Sequence, residues 1–447
     1  MIRHLRTIAG EHDTGLLERP ESAFLVGAQV RGEQSLFTLE ESLDELEQLA
    51  YTAGLKVVGR ASQNLHSINP ATYIGTGKAE EIRDLKKALG FDVVIFDNEL
   101  SAAQLRNLEE ILDTNVLDRT ALILDIFAMR ANTKEGSLQV ELAQYVYRLP
   151  RLTRRWTHLS RQAVGGVGLR GPGETQLESD QRDIRRRMTR LKRELEEVRK
   201  QRDLRRNRRR LRGLPVAAIV GYTNAGKSTL LNRLADADVL VEDKLFATLD
   251  PTTRKVALPS GKEILFTDTV GFIQKLPTQL VAAFHATLEE VHEADILVHV
   301  VDVQDRNLLQ KVTAANEVLQ EIDAGGKPTI IALNKIDLID PEVMLNEEEH
   351  PFAMQNSPVG ELRRQYRHVI PISAEQGVGI EDLLISLEEM LLEEMEDVDL
   401  VIPYKVSNLL DLWHKQGIIE REDYGQDGIH VRGKLPKRIK GMVQGNI

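Results

Sequence analysis

The sequence predicts an α/β protein in which two α/β domains with parallel sheets flank a helical hairpin, and a small α+β domain ends the chain. Three observations support this prediction. Strand-like apolar runs alternate with amphipathic helical runs in residues 1–135 and again in 214–396, as in parallel sheets with crossover helices. Two heptad runs flank a glycine-rich stretch in residues 136–213. Residues 397–447 combine strand, helix and hairpin patterns.

The alternation in the first domain begins with the strand-like run "AFLVGAQV" and the helical run "LEESLDELEQLAYTAG". Gly54 and Gly90 end two predicted helices, and Ser101 caps a third. The stretch "YIGTGK" places Gly75, Gly77 and Lys78 at a strand-to-helix turn, where backbone N–H groups could hold a phosphate. Its spacing is too short for a Walker loop. A tight turn without a ligand explains it equally well.

The hairpin region is strongly basic. Between Arg148 and Arg212 there are 22 Lys and Arg residues against 8 Asp and Glu residues, although the whole chain has a net charge of −11. The acids are too few to pair with most of these arginines, which favours contact with a polyanion over a solvated helix stabilised by ion pairs. The glycine-rich stretch Gly165–Gly173 lies between the two basic arms.

Apolar residues spaced three and four apart predict a helix in each arm. They are Leu142, Tyr145, Leu149, Leu152, Trp156 and Leu159 in the first arm, and Ile184, Met188, Leu191, Leu195 and Val198 in the second. Two such helices joined by a short loop pair antiparallel. Pro150 should interrupt the first helix. Thr175 and Glu178 form a capping box that begins the second helix, and the loss of the apolar pattern ends the hairpin near Arg212.

The third region contains a phosphate-binding motif in the context that the motif requires. "GYTNAGKST" matches G-x-x-x-x-G-K-[ST], follows the strand "PVAAIV" and precedes the helix "TLLNRLA". In this motif Lys227 reaches the β- and γ-phosphates and Ser228 binds Mg²⁺. The predicted nucleotide contacts of this loop are Gly221, Tyr222, Thr223, Asn224, Ala225, Gly226, Lys227 and Ser228.

Three further motifs follow in order, each at the end of a predicted strand: "DTVG" (Asp268, Thr269, Val270, Gly271), "NKID" (Asn334, Lys335, Ile336, Asp337) and "SAE" (Ser373, Ala374, Glu375). Asp268 would hold the metal directly or through water, and the Gly271 N–H would meet the γ-phosphate. The Asp337 carboxylate accepts two hydrogen bonds from guanine that adenine cannot supply. The ordered set predicts a doubly wound P-loop GTPase domain at 214–396 that binds GTP.

The switch threonine should lie between the phosphate loop and "DTVG", where "LFATLDPTTR" offers Thr248, Thr252 and Thr253. Composition alone does not choose among them. Phe272 occupies the position after Gly271, where Ras-like GTPases carry a glutamine that orients the attacking water. A phenyl ring cannot hydrogen-bond that water, so we expect slow intrinsic hydrolysis that depends on a partner or on a rearranged switch.

Four stretches, "GGVGLRGPGETQLESDQR", "GYTNAGKST", "FATLDPTTR" and "DTVGFI", together resemble the HflX family of ribosome-associated GTPases, and the resemblance covers nearly the whole chain. It implies that Thr248 binds Mg²⁺ together with Ser228 and acts in catalysis with Lys227 and Gly271. It also implies nucleotide contacts from Thr248 and its neighbours Phe246, Ala247, Leu249 and Asp250. Asn224 resembles the asparagine of potassium-dependent GTPases, although an asparagine that merely forms a turn is the alternative.

The same resemblance implies a factor that binds the large ribosomal subunit, splits stalled or idle ribosomes and inserts its hairpin tip into ribosomal RNA, where Arg170 could contact an unstacked base. A GTP-dependent regulatory switch that binds another RNA or a protein remains the alternative. The chain has no cysteine, which excludes disulfides and cysteine-based metal sites. It has neither an apolar run of about 18 residues nor a signal-peptide core. We therefore expect a cytoplasmic monomer.

Overall fold

The computed structural model describes residues 20–32, 35–152, 176–211, 214–235, 245–246, 248–249, 251–275, 290–339, 357–406, 408–436 and 440–441. The chain forms two compact units. The first comprises Met1–Val198, Glu242–Asp250 and Ile273–Ala286, and the second comprises Arg199–Val241, Pro251–Phe272 and Thr287–Ile447. Two short segments that flank "DTVG" in the sequence therefore belong to the first unit. No helix in the described ranges is both long and apolar enough to cross a membrane.

A four-stranded parallel sheet lies at the centre of the first unit, as predicted. Its strands are β1 (Ser22–Val30), β2 (Lys56–Leu65), β3 (Val93–Phe96) and β4 (Asn115–Asp118), in the spatial order β2-β1-β3-β4. The intervening helices are α1 (Leu39–Thr52), α2 (Thr76–Leu89), α3 (Ala102–Leu112) and α4 (Arg119–Arg130). Every residue of β3 is buried, as expected for a central parallel strand covered on both faces.

Local sequence explains where these helices begin and end. Thr38 and Glu41 form a capping box at the start of α1, and Ser101 and Gln104 form one at the start of α3. Each box satisfies backbone N–H groups that have no partner inside the helix. Gly90 ends α2 in the left-handed conformation, with φ of 65°, as predicted for a glycine at a helix C-terminus.

The two arms of the hairpin are helical. The first arm is α5 (Lys134–Arg148), followed by a 3₁₀ turn at Leu149–Arg151 that contains Pro150, so the predicted interruption is confirmed. The second arm is α6 (Gln176–Leu211), which ends one residue before the predicted end at Arg212. A salt bridge of 2.9 Å joins Arg187 of α6 to Glu141 of α5. Thr175 and the tip lie outside the described residues.

The first arm buries a different face from the one its heptads predicted. Leu142 and Tyr145 are only half-buried, whereas Val140, Ala143 and Tyr147 are buried. The Tyr147 hydroxyl donates to Asp118 Oδ1 at 2.8 Å. The α5 helix packs against α4, a neighbour that the heptad pattern does not encode, and this neighbour changes which residues are buried.

The second unit contains a six-stranded sheet and a separate three-stranded sheet. The larger sheet consists of β5 (Val216–Gly221), β6 (Thr252–Ala257), β7 (Glu263–Asp268), β8 (Ile296–Asp302), β9 (Thr329–Asn334) and β10 (Val369–Pro371), in the order β10-β9-β8-β5-β7-β6. All adjacent pairs are parallel except β6 with β7. Among the described residues, the helices between or after its strands are α7 (Lys227–Leu234), α8 (Leu308–Glu321), α9 (Pro358–Gln365) and α10 (Ile380–Glu393). The predicted doubly wound sheet is confirmed.

The smaller sheet is antiparallel, with strands β11 (Met395–Ile402), β12 (Ile418–Tyr424) and β13 (Ile429–Pro436) and with β13 in the middle. Helix α11 (Asn408–Gln416) contributes the fully buried Trp413 to its core. The run "LLISLEEMLLEEMEDV" has the pattern of one acidic amphipathic helix that reaches Val398, but this prediction is wrong because α10 ends at Glu393. Residues from Met395 onward pair with β13 instead, because Val398 and Ile402 join the apolar core under the smaller sheet.

Candidate nucleotide-binding site

The predicted phosphate loop joins β5 to α7, and its backbone requires glycine at two positions. Gly221 has a φ of 143°, and a Cβ there would lie 2.3 Å from the Val300 carbonyl oxygen. Gly226 has a φ of 95°, and a Cβ there would lie 2.2 Å from Asn334 Nδ2. Both positions are left-handed and closed to side chains. Asn224 between them also has a positive φ, of 62°, which asparagine tolerates better than most residues.

Lys227 opens α7, and its ammonium group points back along the loop. The side chain is 7% exposed, and its Nζ donates to the Tyr222 carbonyl oxygen at 2.7 Å. Burial lowers the pKa of Lys227 to about 8, an effect that the nearby Asp268 carboxylate partly opposes. A buried cation that is bonded to a neutral carbonyl oxygen is well placed to gain from an anionic ligand.

Ser228 and Asp268 bring two oxygens together beside the loop. The Ser228 hydroxyl donates to Asp268 Oδ2 at 2.7 Å, and Asp268 is 1% exposed at the end of β7. Thr269 turns its hydroxyl away from the loop and donates to the Ile219 carbonyl at 2.7 Å, which fixes the start of "DTVG" against β5. A hydroxyl and a carboxylate are ligands that Mg²⁺ accepts alongside phosphate oxygens.

The end of "DTVG" is bonded to the phosphate loop. The Phe272 N–H donates to the Gly221 carbonyl at 3.0 Å, and the Thr223 N–H donates to the Phe272 carbonyl at 2.8 Å. These bonds extend the pairing between β5 and β7 past Asp268 as an isolated bridge between Tyr222 and Phe272. We call this the closed arrangement. The Phe272 side chain is 2% exposed, so its ring does not project into solvent.

Asn334, at the end of β9, links two loops of the site. Its Nδ2 donates to the Ala225 carbonyl at 2.8 Å, and its Oδ1 accepts from the Ala374 N–H at 2.9 Å. The phosphate loop and the "SAE" loop are thereby held by one buried amide. Arg233 of α7 adds a second link, because its guanidinium donates to the carbonyls of Ala374 and Glu375.

The rest of "NKID" lies at the same edge of the sheet. Lys335 has a φ of 68°, and its Nζ lies 2.7 Å from a carboxylate oxygen of Asp302 at the end of β8. The half-buried Asp337 lies in the 3₁₀ turn Ile336–Leu338, and the Ile336 N–H donates to the Ile372 carbonyl at 3.3 Å. The structure thus brings "NKID" to the loop that carries buried Ser373.

The candidate switch threonines fall in two different environments. Thr252 and Thr253 belong to β6, where the Thr253 hydroxyl oxygen lies 3.1 Å from that of Thr267 across the sheet. Thr248 is half-buried in a loop of the first unit. Its role as a metal ligand stays a prediction. Ala247 and Asp250 lie outside the described residues.

The second candidate phosphate site, at "YIGTGK", is a compact turn with its own partners. The Gly75 N–H donates to Gln63 Oε1 at 3.0 Å, and Lys78 pairs with Glu81 at 2.8 Å. These bonds occupy the Gly75 N–H and the Lys78 ammonium group, and phosphate binding at this turn stays a prediction.

Three residues near the loops were missed by the sequence reading. They are Arg233, Asp302 and Lys311, whose Nζ lies 4.8 Å from the Tyr222 ring centroid. Asp302 is the last residue of the buried strand β8. A polar residue at the carboxyl end of a parallel strand is typical of a ligand-binding edge, so the sequence did offer a signal for Asp302. Arg233 and Lys311 lie on helices and had no local signal.

Comparison with known proteins identifies the family. Three family profiles match successive parts of the chain: "GTP-binding GTPase N-terminal" at residues 40–128, "GTP-binding GTPase Middle Region" at 130–209 and "50S ribosome-binding GTPase" at 216–335. The GTPase HflX of Caldanaerobacter subterraneus subsp. tengcongensis is 48% identical over 91% of this chain and 90% of its own length. The GTPase HflX of Escherichia coli K12 is 44% identical over 89% of this chain and 90% of its own length. The chain belongs to the HflX family.

A solved structure of a GTP-binding protein from the archaeon Sulfolobus solfataricus in complex with GDP is 26% identical, with a TM-score of 0.43, over 83% of this chain and 98% of that one.

Membership of the HflX family makes this protein a GTP hydrolase of a class of ribosome-binding GTPases. GTP is its substrate, and Mg²⁺ is the usual metal of such enzymes.

Proposed function

We propose that this HflX family member binds the large ribosomal subunit and uses GTP to dissociate stalled or idle ribosomes, while its basic hairpin contacts ribosomal RNA. The observation that carries the proposal is the combination, in one chain, of the guanine-nucleotide motifs with α6. This 36-residue helix is rich in exposed arginine and lysine. A nucleotide switch without a polyanion-binding element would not account for this helix.

The phosphate end of GTP would lie over the loop Gly221–Ser228. Lys227 would exchange its bond to the Tyr222 carbonyl for bonds to the β- and γ-phosphates, and the Gly271 N–H would meet the γ-phosphate. Both interactions stabilise the negative charge that develops as the terminal phosphoryl group transfers to water. Lys227, Gly271 and Thr248 are therefore the proposed catalytic residues.

The donors near Lys227 suit Mg²⁺. The adjacent Ser228 and Asp268 oxygens match the hydroxyl and carboxylate groups that hold this ion in P-loop enzymes, and Thr248 is the proposed further ligand. When bound, Mg²⁺ would neutralise charge on the β- and γ-phosphates.

Asn224, in its left-handed conformation, is proposed to support a K⁺ ion beside the phosphates. Replacing K⁺ by Na⁺ during turnover measurements tests this, and an unchanged rate would contradict it.

The base end would be read by "NKID" and "SAE". Asp337 would accept the two guanine N–H bonds, and the backbone of Ser373–Glu375 would meet the guanine oxygen. Asn334 holds the "SAE" loop to the phosphate loop, because it accepts from the Ala374 N–H at 2.9 Å and donates to the Ala225 carbonyl at 2.8 Å. A base that leaves the Asp337 carboxylate unmatched should therefore bind much more weakly than guanine.

Hydrolysis in the free protein should be slow. The ring of Phe272 is buried and its backbone is bonded to the phosphate loop, so the residue after Gly271 supplies no side-chain group to orient water. Ribosome binding would then accelerate hydrolysis by rearranging this segment, and hydrolysis would release the factor.

The exposed face of α6 supports binding to RNA. Arg185, Lys192, Arg193 and Lys200 are exposed, and within the described part of the chain none of them makes an ion pair. Cations left unpaired by their own protein are available to neutralise phosphates, and the affinity should fall steeply with salt.

Sedimentation with purified large subunits tests the proposal. Wild-type protein should pellet with a non-hydrolysable GTP analogue more than with GDP. Changing Arg185, Lys192 and Arg193 to glutamine together should remove most of this binding and flatten its salt dependence. The matched control changes Arg60, Arg367 and Arg421, which are exposed arginines outside the hairpin, to glutamine. Dissociation is measured separately, as the conversion of intact ribosomes to subunits in the presence of GTP.

Equal pelleting with GDP and the analogue, or pelleting that survives the three glutamines, would favour the alternative of a GTP-dependent switch that acts on another RNA or protein. If the protein binds the large subunit but does not dissociate ribosomes, the ribosome is its partner and the splitting activity is contradicted.

A further inference from the structure

The loop that carries "SAE" has one backbone donor that its own fold does not use. Within the described residues, four of the five backbone N–H groups of residues 373–377 donate to acceptors of the second unit. Those bonds run from Ser373 to the Val378 carbonyl at 3.0 Å, from Ala374 to Asn334 Oδ1 at 2.9 Å, from Gln376 to Ser373 Oγ at 3.1 Å and from Gly377 to the Ser373 carbonyl at 2.8 Å. The Glu375 N–H donates to no acceptor in the described part of the chain.

The four bonded donors are committed to holding the loop. Ser373 and Ala374 are 0% and 2% exposed, and buried backbone N–H groups keep a partner in native proteins. Glu375 is exposed, so its N–H can pass from water to a ligand without breaking a bond inside the protein. Among these five donors, the Glu375 N–H is therefore the one available to a guanine oxygen.

Arg233, in the last turn of α7, binds the carbonyl side of the same loop. Its Nε donates to the Ala374 carbonyl at 3.2 Å, and a terminal guanidinium nitrogen donates to the Glu375 carbonyl. The loop also packs against this side chain, because a Cβ at Gly377 would lie 3.5 Å from Arg233 Cδ and Nε. Residue 374 is thus held at its carbonyl by Arg233 and at its N–H by Asn334.

The bond from Arg233 fixes the direction of the unused donor. The Ala374 carbonyl and the Glu375 N–H belong to one peptide group, which is trans. In a trans peptide the carbonyl and the N–H point in opposite directions, so the Glu375 N–H faces away from Arg233. A carbonyl that accepts a bond from a cation is also polarised, which strengthens the N–H of the same peptide as a donor.

We propose that the Glu375 N–H reads O6 of guanine and that Arg233 is the positioning residue that aims and strengthens this donor. Arg233 acts through the loop and not through the base. The inference rests on the base site proposed above, in which Asp337 accepts the two guanine N–H bonds. Two groups from different loops would then read two edges of the base, a carboxylate at the N–H groups and one backbone donor at the oxygen.

The test uses analogues of GDP that change one edge of the base at a time. 6-Thio-GDP replaces O6 by sulfur, a weaker hydrogen-bond acceptor, and keeps both N–H groups. Inosine diphosphate keeps O6 and lacks the 2-amino group that Asp337 would bind. Equilibrium titrations give two ratios, the affinity for GDP over 6-thio-GDP and the affinity for GDP over inosine diphosphate.

Wild-type protein should prefer GDP over 6-thio-GDP by about fivefold, the factor expected for one hydrogen bond. Arg233→Met should bring this ratio close to one and leave the ratio of GDP over inosine diphosphate unchanged. Arg233→Lys keeps the charge and a donor, so its ratio of GDP over 6-thio-GDP should exceed that of Arg233→Met. Asp337→Asn should give the opposite pattern, with the larger change in the ratio of GDP over inosine diphosphate.

Arg367→Met is the matched control. It removes an exposed arginine of the second unit that pairs with Glu393 through two contacts of 2.8 and 2.9 Å, and it should leave both ratios unchanged. Thermal unfolding of each variant without nucleotide records any loss of fold.

The role of Arg233 is overturned if Arg233→Met keeps the wild-type ratio of GDP over 6-thio-GDP. Equal weakening of all three nucleotides also overturns it, because a purely structural role would have that effect. If wild-type protein binds 6-thio-GDP as tightly as GDP, no donor reads O6 and the role of the Glu375 N–H is wrong. If wild-type protein binds ADP as tightly as GDP, the base-site proposal itself has failed.

Discussion

Asn334→Ala tests whether one buried amide assembles the nucleotide site. The side chain is 3% exposed and makes two bonds, to the Ala225 carbonyl at 2.8 Å and from the Ala374 N–H at 2.9 Å. Alanine removes both and offers no replacement. The Ala225 carbonyl and the Ala374 N–H would lose their partner, and both residues are buried, with exposed fractions of 3% and 2%.

The magnitude follows from these contacts. Each neutral hydrogen bond contributes about 1 kcal/mol, and backbone groups left buried without partners raise the total loss to about 2–4 kcal/mol. In a unit of this size each kcal/mol lowers Tm by about 2–4 °C, so a fall of roughly 4–16 °C is expected. Because the amide also joins the phosphate loop to the "SAE" loop, GDP affinity should fall by at least about tenfold.

Urea and thermal unfolding of the protein without nucleotide give the stability loss, and GDP titration gives the affinity. Asn316→Ala is the control, because it removes a single half-buried bond from Nδ2 to the Tyr366 hydroxyl at 2.8 Å, away from the nucleotide loops. It should lose about 1 kcal/mol and keep its GDP affinity. If Asn334→Ala loses no more stability than this control and binds GDP normally, the amide does not hold the site together.

Further expected outcomes concern the phosphate, the base and the smaller sheet. Burial lowers the pKa of Lys227 to about 8, and a bound phosphate favours its charged form, so GDP affinity should be constant below pH 7 and fall up to tenfold per pH unit above 8. Lys227→Arg should remove this fall in titrations across pH, because guanidinium stays charged. Asp337→Asn should weaken the preference for guanine over xanthine nucleotides in competition binding. An unchanged preference would show that Asp337 does not bind the base. Trp413→Ala, which empties the core of the smaller sheet, should cost about 3–5 kcal/mol in urea unfolding.

Local patterns predicted much of the fold because the forces that begin and end helices and strands act over a few residues. The cap at Ser101 and the left-handed Gly90 at the end of a helix are examples. The nucleotide motifs were predictable for a related reason. Each lies directly after a strand, and the carboxyl ends of parallel strands meet at one edge of a sheet, so order along the chain implied proximity in space.

Packing between distant segments was not predictable in this way. Helix α4 packs against α5, so Tyr147 is buried where the heptads predicted Tyr145 and Leu142. Likewise, Met395–Val398 continue a helical pattern but pair with β13. In both cases the outcome depends on a neighbour whose position the local pattern does not encode.

The sequence by itself determined that this chain binds and hydrolyses a guanine nucleotide and carries a basic hairpin, because the spacing of the motif residues specifies that chemistry wherever the strands place them. Only the tertiary structure decided that Asn334 joins two loops, that Phe272 is bonded to the phosphate loop and that Lys275 reaches the buried Asp97. These contacts join residues up to 178 positions apart. They form because a buried carboxylate or amide must find a partner wherever the fold supplies one, and no local pattern records that partner.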